Sequence, residues 1–254
     1  MDEDFLLVGR DRVGRRQSAT VWQAGGMKRQ LVMGDLHGCY DALRTLCDAV
    51  GLTPADTLIT LGDYVNKGPD SRRVIDWLLE LDGWLTLLPL RGNHDLLMQN
   101  ARHDQAAYHR WLRAGGEATL RSYAGSTGRV GTLADVPASH WQFLDNRLVA
   151  SFATDTHFFV HAGVDPALAL EDQAPAMLYE CTFSDPKPHC SGKIMVCGHT
   201  AQKSGVPLVT GHAICLDTWC SGRGWLSCLD LGSGLVHQAN QGGATRVVRL
   251  PAPG

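Results

Sequence analysis

The chain has 254 residues, 44% of them apolar, and a net charge of −3 with histidine neutral. That composition can fill one large core, and without a long single-sign run it excludes a dedicated nucleic-acid binder with a basic face. No run nears the roughly 20 apolar residues of a bilayer span, and the opening Met1-Asp2-Glu3-Asp4 lacks the basic-then-apolar order of a secretory signal, so a cytoplasmic chain is expected. None of the eight cysteines form a C-x-x-C pair, which argues for free thiols over a zinc knuckle.

Residues 1–29 are polar and read as a peripheral extension or a short hairpin, with the main domain over 30–250. From Gln30 apolar runs alternate with polar loops. Leu31 to Met33 is a short strand ending at Gly34-Asp35. Tyr40 to Val50 carries apolar residues at helical spacing. Leu58 to Leu61 is a buried-type strand ending at Gly62-Asp63, and Ser71 to Leu81 is an amphipathic helix with Val74, Ile75, Leu78 and Leu79 on one face. Leu85 to Leu90 forms a third strand ending at Arg91-Gly92-Asn93-His94, and residues 104–124 and 139–146 read as helical. Strands follow at His157 to Val160, Lys193 to Val196, Ala213 to Leu216, Trp225 to Leu229 and Leu235 to Gln238. The first half is therefore alternating α/β and the second mostly β.

Five of these strands end in residues able to bind a metal: Asp35 with His37, Asp63, Asn93 with His94, His161, and His199. Parallel strands bring their C-terminal ends to one edge, so ligands far apart in sequence can converge. One Gly-Asp is usually a turn, and one strand-end histidine is usually a satisfied polar residue; the five together are hard to read as chance turns. Oxygen and imidazole donors without thiolate suit Mn, Fe or Zn. Two such ions about 3.5–4 Å apart, sharing a carboxylate, activate water and clamp an in-line displacement at phosphorus. His103, His109, His140, His157, His189, His212 and His237 lack this context and receive no role.

These residues resemble the phosphoprotein-phosphatase branch of the calcineurin-like metallophosphoesterases. The matching motifs are Gly34-Asp35-Leu36-His37-Gly38, Gly62-Asp63-Tyr64-Val65-Asn66-Lys67-Gly68, Gly92-Asn93-His94-Asp95, His161-Ala162-Gly163 and Gly198-His199-Thr200. Trp111 to Tyr123, with Gly115-Gly116-Glu117, is similar to bacterial protein phosphatases of that family. The resemblance implies an α/β fold with a central β-sandwich flanked by helices and a dimetal site at strand-end loops. It implies that Asp35, His37 and Asp63 hold one divalent ion and that Asp63, Asn93, His161 and His199 hold the other, with manganese expected and iron or zinc as alternatives. A hydroxide between the ions would attack phosphorus directly, Asn93 and Lys67 would hold the phosphate, and His94 would protonate the leaving oxygen.

Two departures bear on substrate. Where the family carries an aspartate beside the general-acid histidine this chain has Asn66, and the neighbouring family arginine is Lys67, which keeps the charge but loses the bidentate fork. A further phosphate-holding arginine of the family aligns with Cys181. These changes resemble the diadenosine-tetraphosphatase-like relatives, as do Asp95 and the stretch Asp217-Thr218-Trp219-Cys220. The expected activity is phosphomonoester hydrolysis on serine/threonine phosphoprotein. Hydrolysis of nucleotide or other phosphoanhydrides is the close alternative, and a catalytically weakened metal-containing binding module the third reading. The expected partners are those substrates, with no membrane and no nucleic acid.

Overall fold

Successive side chains along short, buried apolar strands point to opposite faces, and that alternation builds the architecture. The computed structural model describes residues 4–8, 21–23, 29–125 and 129–250. In chain order the elements that place the site are β1 (Asp4–Val8), β2 (Val21–Gln23), β3 (Gln30–Met33), α1 (Tyr40–Val50), β4 (Thr57–Thr60), α2 (Ser71–Leu81), β5 (Thr86–Pro89), α3 (Asn93–Asn100), α4 (Gln105–Trp111), α5 (Glu117–Tyr123) and α6 (Ala138–Gln142). They are followed by β6 (Ser151–Ala153), β7 (His157–Val160), α7 (Pro175–Glu180), β8 (Ile194–Cys197), β9 (Leu208–Val209), β10 (Ala213–Cys215), β11 (Leu226–Asp230), β12 (Leu235–Ala239) and β13 (Thr245–Arg249).

One sheet has the order β2-β1-β6-β7-β8-β10-β9 and the other β13-β12-β11-β3-β4-β5. Each contains a parallel core, β7-β8-β10 in the first and β3-β4-β5 in the second. The inward residues Val32, Ile59, Leu88, Phe159, Val196 and Ile214 pack between the sheets. Their neighbours one step along the strands, such as Leu31, Met33 and Leu58, face outward to α1 and α2, while Phe158 and Val160 face Leu178 and Tyr179 of α7. Period-two alternation thus supplies two faces to every central strand, and the result is the expected sandwich flanked by helices.

The helices follow their apolar stripes. α1 buries Ala42, Leu43, Leu46, Cys47 and Val50 and stops at Gly51, whose φ of 62° lets its N–H bond back to Cys47 O. The expected helix over 104–124 is broken: a π-helical turn at Leu112–Gly116 separates α4 from α5, and Gly115 adopts φ 97°. There the Gly115 carbonyl accepts the Lys67 N–H at 3.3 Å, so the kink leans on the loop after β4. The strands β6, β9 and β13 and the helix α7 carry no clear sequence signal. β13 alternates exposed and half-exposed residues and lies at a sheet edge, so its Thr and Arg content hides it. Within residues 1–29, β1 and β2 pair antiparallel and β1 also pairs with β6, extending that sheet; residues 1–3, 9–20 and 24–28 lie outside the described ones.

Candidate metal centre

All three parallel strands of the second sheet, and two of the first, end in the residues singled out from sequence. Asp35 and His37 follow β3, Asp63 follows β4, Asn93 and His94 open α3 after β5, His161 follows β7 and His199 follows β8. The loops turn sharply here. Among the described residues, the non-glycine positions with left-handed φ are His37, Asp63, Asn66, Lys67, His199 and Trp219. Such strain persists where surrounding structure holds it, typically at functional sites. Two glycines permit the closest approaches: a Cβ on Gly198 would fall 2.0 Å from Asp35 Oδ1, and one on Gly92 would fall 2.0 Å from Asp63 Oδ1.

Asp63 stands at the middle. Its Oδ2 lies 3.3 Å from His37 Nε2 and its Oδ1 lies 3.5 Å from His161 Nε2, one carboxylate oxygen toward each half of the site. Donor atoms of Asp35, Asp63 and His161 lie within 4.8 Å of one another, as do those of His37, Asp63 and His94. Asn93 Oδ1 is 3.1 Å from His161 Nε2, and the His199 ring stands edge-on to that of His161 with centroids 5.1 Å apart. The structure therefore brings all six expected ligands together. It also places His94 against Asp63, with Nε2 4.0 Å from Oδ2.

The histidines are pre-oriented. His37 Nδ1 donates to Val65 O at 3.0 Å and His161 Nδ1 donates to Leu61 O at 2.7 Å, while His199 is hydrogen-bonded to the Glu180 backbone. A ring that spends Nδ1–H on a carbonyl presents the Nε2 lone pair inward, the arrangement that supports metal ligation. Electrostatics point the same way. Burial, then the nearby Asp217 and Asp63 carboxylates, push the Asp35 carboxyl well above its ordinary value. Burial raises Asp63 to about 7, and burial lowers His161 and His199 to about 4. Crowded buried carboxylates beside neutral imidazoles are what a divalent cation neutralises. The donor set thus fits two ions of the borderline oxygen-and-nitrogen class. Lys67 already brings one positive charge, with Nζ 2.8 Å from His37 Nε2.

His94 differs from the other histidines. Its Nδ1 meets the Asn66 side-chain amide at 2.8 Å, and burial, then Lys67, lower its pKa to about 3. Cys181 reaches the rim from the end of α7: its Sγ is 3.1 Å from where a Cβ on Gly163 would stand. Three supporting residues received no role from sequence. Asp95 accepts N–H groups from Gly92, Asp63 and Tyr64 at 2.9, 2.9 and 3.0 Å, tying the second loop to α3. Trp111 and Thr119 grip Asn66 from 45 and 53 residues away. Asp95 could have been found as an acid in the first turn of a helix after a glycine; Trp111 and Thr119 leave no local signal.

With that geometry in view, the comparisons with known proteins are consistent. A family model of calcineurin-like phosphoesterases matches residues 28–222. Symmetrical bis(5'-nucleosyl)-tetraphosphatase of an Acidovorax species is 45% identical over 65 residues, 25% of this chain and 22% of that protein. The same-named protein of Pseudomonas putida is 39% identical over 90 residues, 35% of this chain and 28% of its own length. The chain thus matches about a quarter of the length of these relatives. Among solved structures, a candidate diadenosine tetraphosphatase superposes with TM-score 0.57 at 22% identity, covering 87% of this chain and 93% of its own. A serine/threonine phosphatase from Saccharomyces cerevisiae gives 0.55 at 18% identity, covering 89% and 82%. Both structural likenesses speak to the fold. Among the described residues, no helix is long and apolar enough to cross a membrane.

Proposed function

This chain belongs to the calcineurin-like phosphoesterases, and from that premise we propose that it is a dinuclear metal-dependent hydrolase of nucleotide phosphoanhydrides. The observation that carries the choice of substrate is the 2.8 Å contact between the Asn66 amide and His94 Nδ1. A carboxylate at that position would favour the imidazolium and supply a strong general acid. A neutral amide does not, and general acid catalysis is worth about 10²–10⁴ in rate where the leaving oxygen needs a proton. A leaving phosphate needs none. The tetraphosphatase names of the relatives support this order, which reverses the expectation from sequence that put phosphoprotein first. Phosphomonoester hydrolysis stands second, favoured by the Trp111 to Tyr123 segment.

Asp35, His37 and Asp63 are proposed to hold one cation and Asp63, Asn93, His161 and His199 the other, with manganese the proposed metal. When bound, such a pair acidifies water and neutralises charge on the phosphoryl group. The chain's own residues do the rest. Lys67, exposed at the rim with its ammonium turned inward, attracts phosphoryl oxygens. Half-buried Asn93 can also donate its amide N–H to them. His94 holds the leaving oxygen by a hydrogen bond from Nε2. At Cys181, where the family carries an arginine, the chain offers no cation to the phosphate.

The test is a rate comparison of the manganese-loaded protein on diadenosine tetraphosphate, inorganic polyphosphate, an aryl phosphate and a phosphoserine peptide. The anhydrides should exceed the phosphoserine peptide by at least about 100-fold in kcat/KM. A preference for the peptide would sink the anhydride reading, and turnover of none would favour a binding module.

A further inference from the structure

We propose that Trp111 and Thr119 are positioning residues that fix the direction of the Asn66–His94 hydrogen bond, and that through it they restrict the enzyme to leaving groups that depart as stable anions. For its natural substrate this rests on the phosphoanhydride reading; for its geometry it does not.

The direction follows from the donor inventory. Trp111 Nε1–H can only donate, and it does so to Asn66 Oδ1 at 2.8 Å. Thr119 Oγ1 donates to the same oxygen at 3.1 Å and accepts the Asn66 backbone N–H at 2.8 Å. Ser71 Oγ, 3.0 Å from Thr119 Oγ1, supplies the remaining proton, because the threonine's own is already used. Trp111, Asn66, Thr119 and Ser71 are all buried, with no exposed surface. Turning the amide over would set its NH₂ against the indole N–H, two donors facing each other with no water to intervene. The carbonyl end is therefore committed to Trp111 and Thr119, and the NH₂ end faces His94 Nδ1.

A ring nitrogen that accepts a hydrogen bond carries no proton. His94 is thereby held with its proton on Nε2, the nitrogen on the Asp63 side of the ring. In this tautomer His94 orients a leaving oxygen by hydrogen bonding but does not surrender a proton to it. In the hydrolysis the P–O bond to the leaving group breaks, and that oxygen keeps the bonding pair. Water adds its oxygen to phosphorus and releases a proton to solvent. A nucleoside polyphosphate or an aryl oxide departs readily as the anion, and an alkoxide such as serine's does not. An aspartate in place of Asn66 would accept from the same indole and hydroxyl, but would require a proton on His94 Nδ1. The buried grip is thus compatible with either residue, while the residue held decides the leaving-group class.

The test uses the zinc-loaded, diamagnetic protein with isotope-labelled histidine. The His94 resonances are assigned by their loss in His94→Asn. Nitrogen NMR should show a pyridine-type Nδ1 and a pyrrole-type Nε2 in the wild type, and the reverse or a doubly protonated ring in Asn66→Asp. Trp111→Phe should average the two tautomers by freeing the amide. In parallel, rates are measured on aryl phosphates of graded leaving-group acidity and on an alkyl phosphate. Asn66→Asp should flatten the leaving-group dependence, raising the alkyl rate by about 100-fold. A protonated Nδ1 in the wild type would overturn the proposal. So would an unchanged spectrum and an unchanged leaving-group dependence in Trp111→Phe. Should that variant fail to fold, Thr119→Val against the hydroxyl-keeping Thr119→Ser carries the same comparison. If the spectra and leaving-group series behave as stated but dinucleotide anhydrides are not cleaved, the functional reading fails and the positioning role stands.

Discussion

Asp63 is where both halves of the site meet, with one oxygen 3.3 Å from His37 and the other 3.5 Å from His161. Asp63→Asn keeps the shape and removes the shared charge. It should lower kcat by at least about 100-fold and weaken metal binding, as read by activity across a metal titration; full activity would reject the bridging role. Asp95 works one layer back. Its carboxylate takes three backbone N–H groups in a site with no solvent exposure. Asp95→Asn offers one acceptor oxygen in place of two and puts an NH₂ against backbone donors. A loss of about 1–3 kcal/mol in denaturant unfolding is expected, together with weaker metal binding. Stability unchanged to within a few tenths of a kcal/mol would show that the clamp is dispensable.

At the scale of elements, the break between α4 and α5 matters most. Gly115 at φ 97° turns the chain so that Trp111 and Thr119 reach Asn66 from the two sides of the kink. A Cβ there would sit 3.0 Å from the Lys67 backbone N, in a conformation that L side chains rarely adopt. Gly115→Ala should therefore cost about 1–3 kcal/mol, and it should shift kcat more than KM by displacing Asn66 and Lys67. Thermal unfolding and Michaelis kinetics check the two parts. Both segments are helical by pattern, and each is correctly read as such from sequence. The kink is not, because a glycine inside a helical pattern is equally compatible with a straight helix.

Across the whole molecule, two parallel strand trios from separate sheets send their C-terminal ends to one rim, where a proton would compete with the proposed metal. Burial raises Asp63 to about 7, above its ordinary 3.8, so the metal-free folded chain holds a proton that the unfolded chain releases. Its contribution to stability is full below the unfolded pKa and is lost as pH rises through about 7. His161 and His199, lowered to about 4, are neutral well below that point and do not compete. Metal affinity should fall by at least about tenfold per pH unit below 7, since Asp63 must release its proton and Asp35, also raised by burial, adds to the loss. The rise in Tm on adding metal should be larger at pH 8 than at pH 6. Affinity independent of pH between 5 and 7 would contradict this account.

The central strands β3, β4, β5, β7, β8, β10, β11 and β12, α1, α2 and the six candidate ligands were legible in the chain because each is a local pattern: an apolar run, helical spacing, or an Asp, Asn or His next to glycine at a strand end. The same local patterns placed Asn66 and Lys67 in the site as departures from the family. The proposed order of preference between substrates was not legible. It turns on which end of the Asn66 amide faces His94, and an amide is chemically two-ended. Only the fold, by burying an indole N–H and a hydroxyl from a distant kinked helix against one end, breaks that symmetry. Sequence thus determined the family and the six strand-end residues proposed to hold paired cations. Tertiary structure decided how His94 is held, because hydrogen-bond direction depends on partners that only folding brings together.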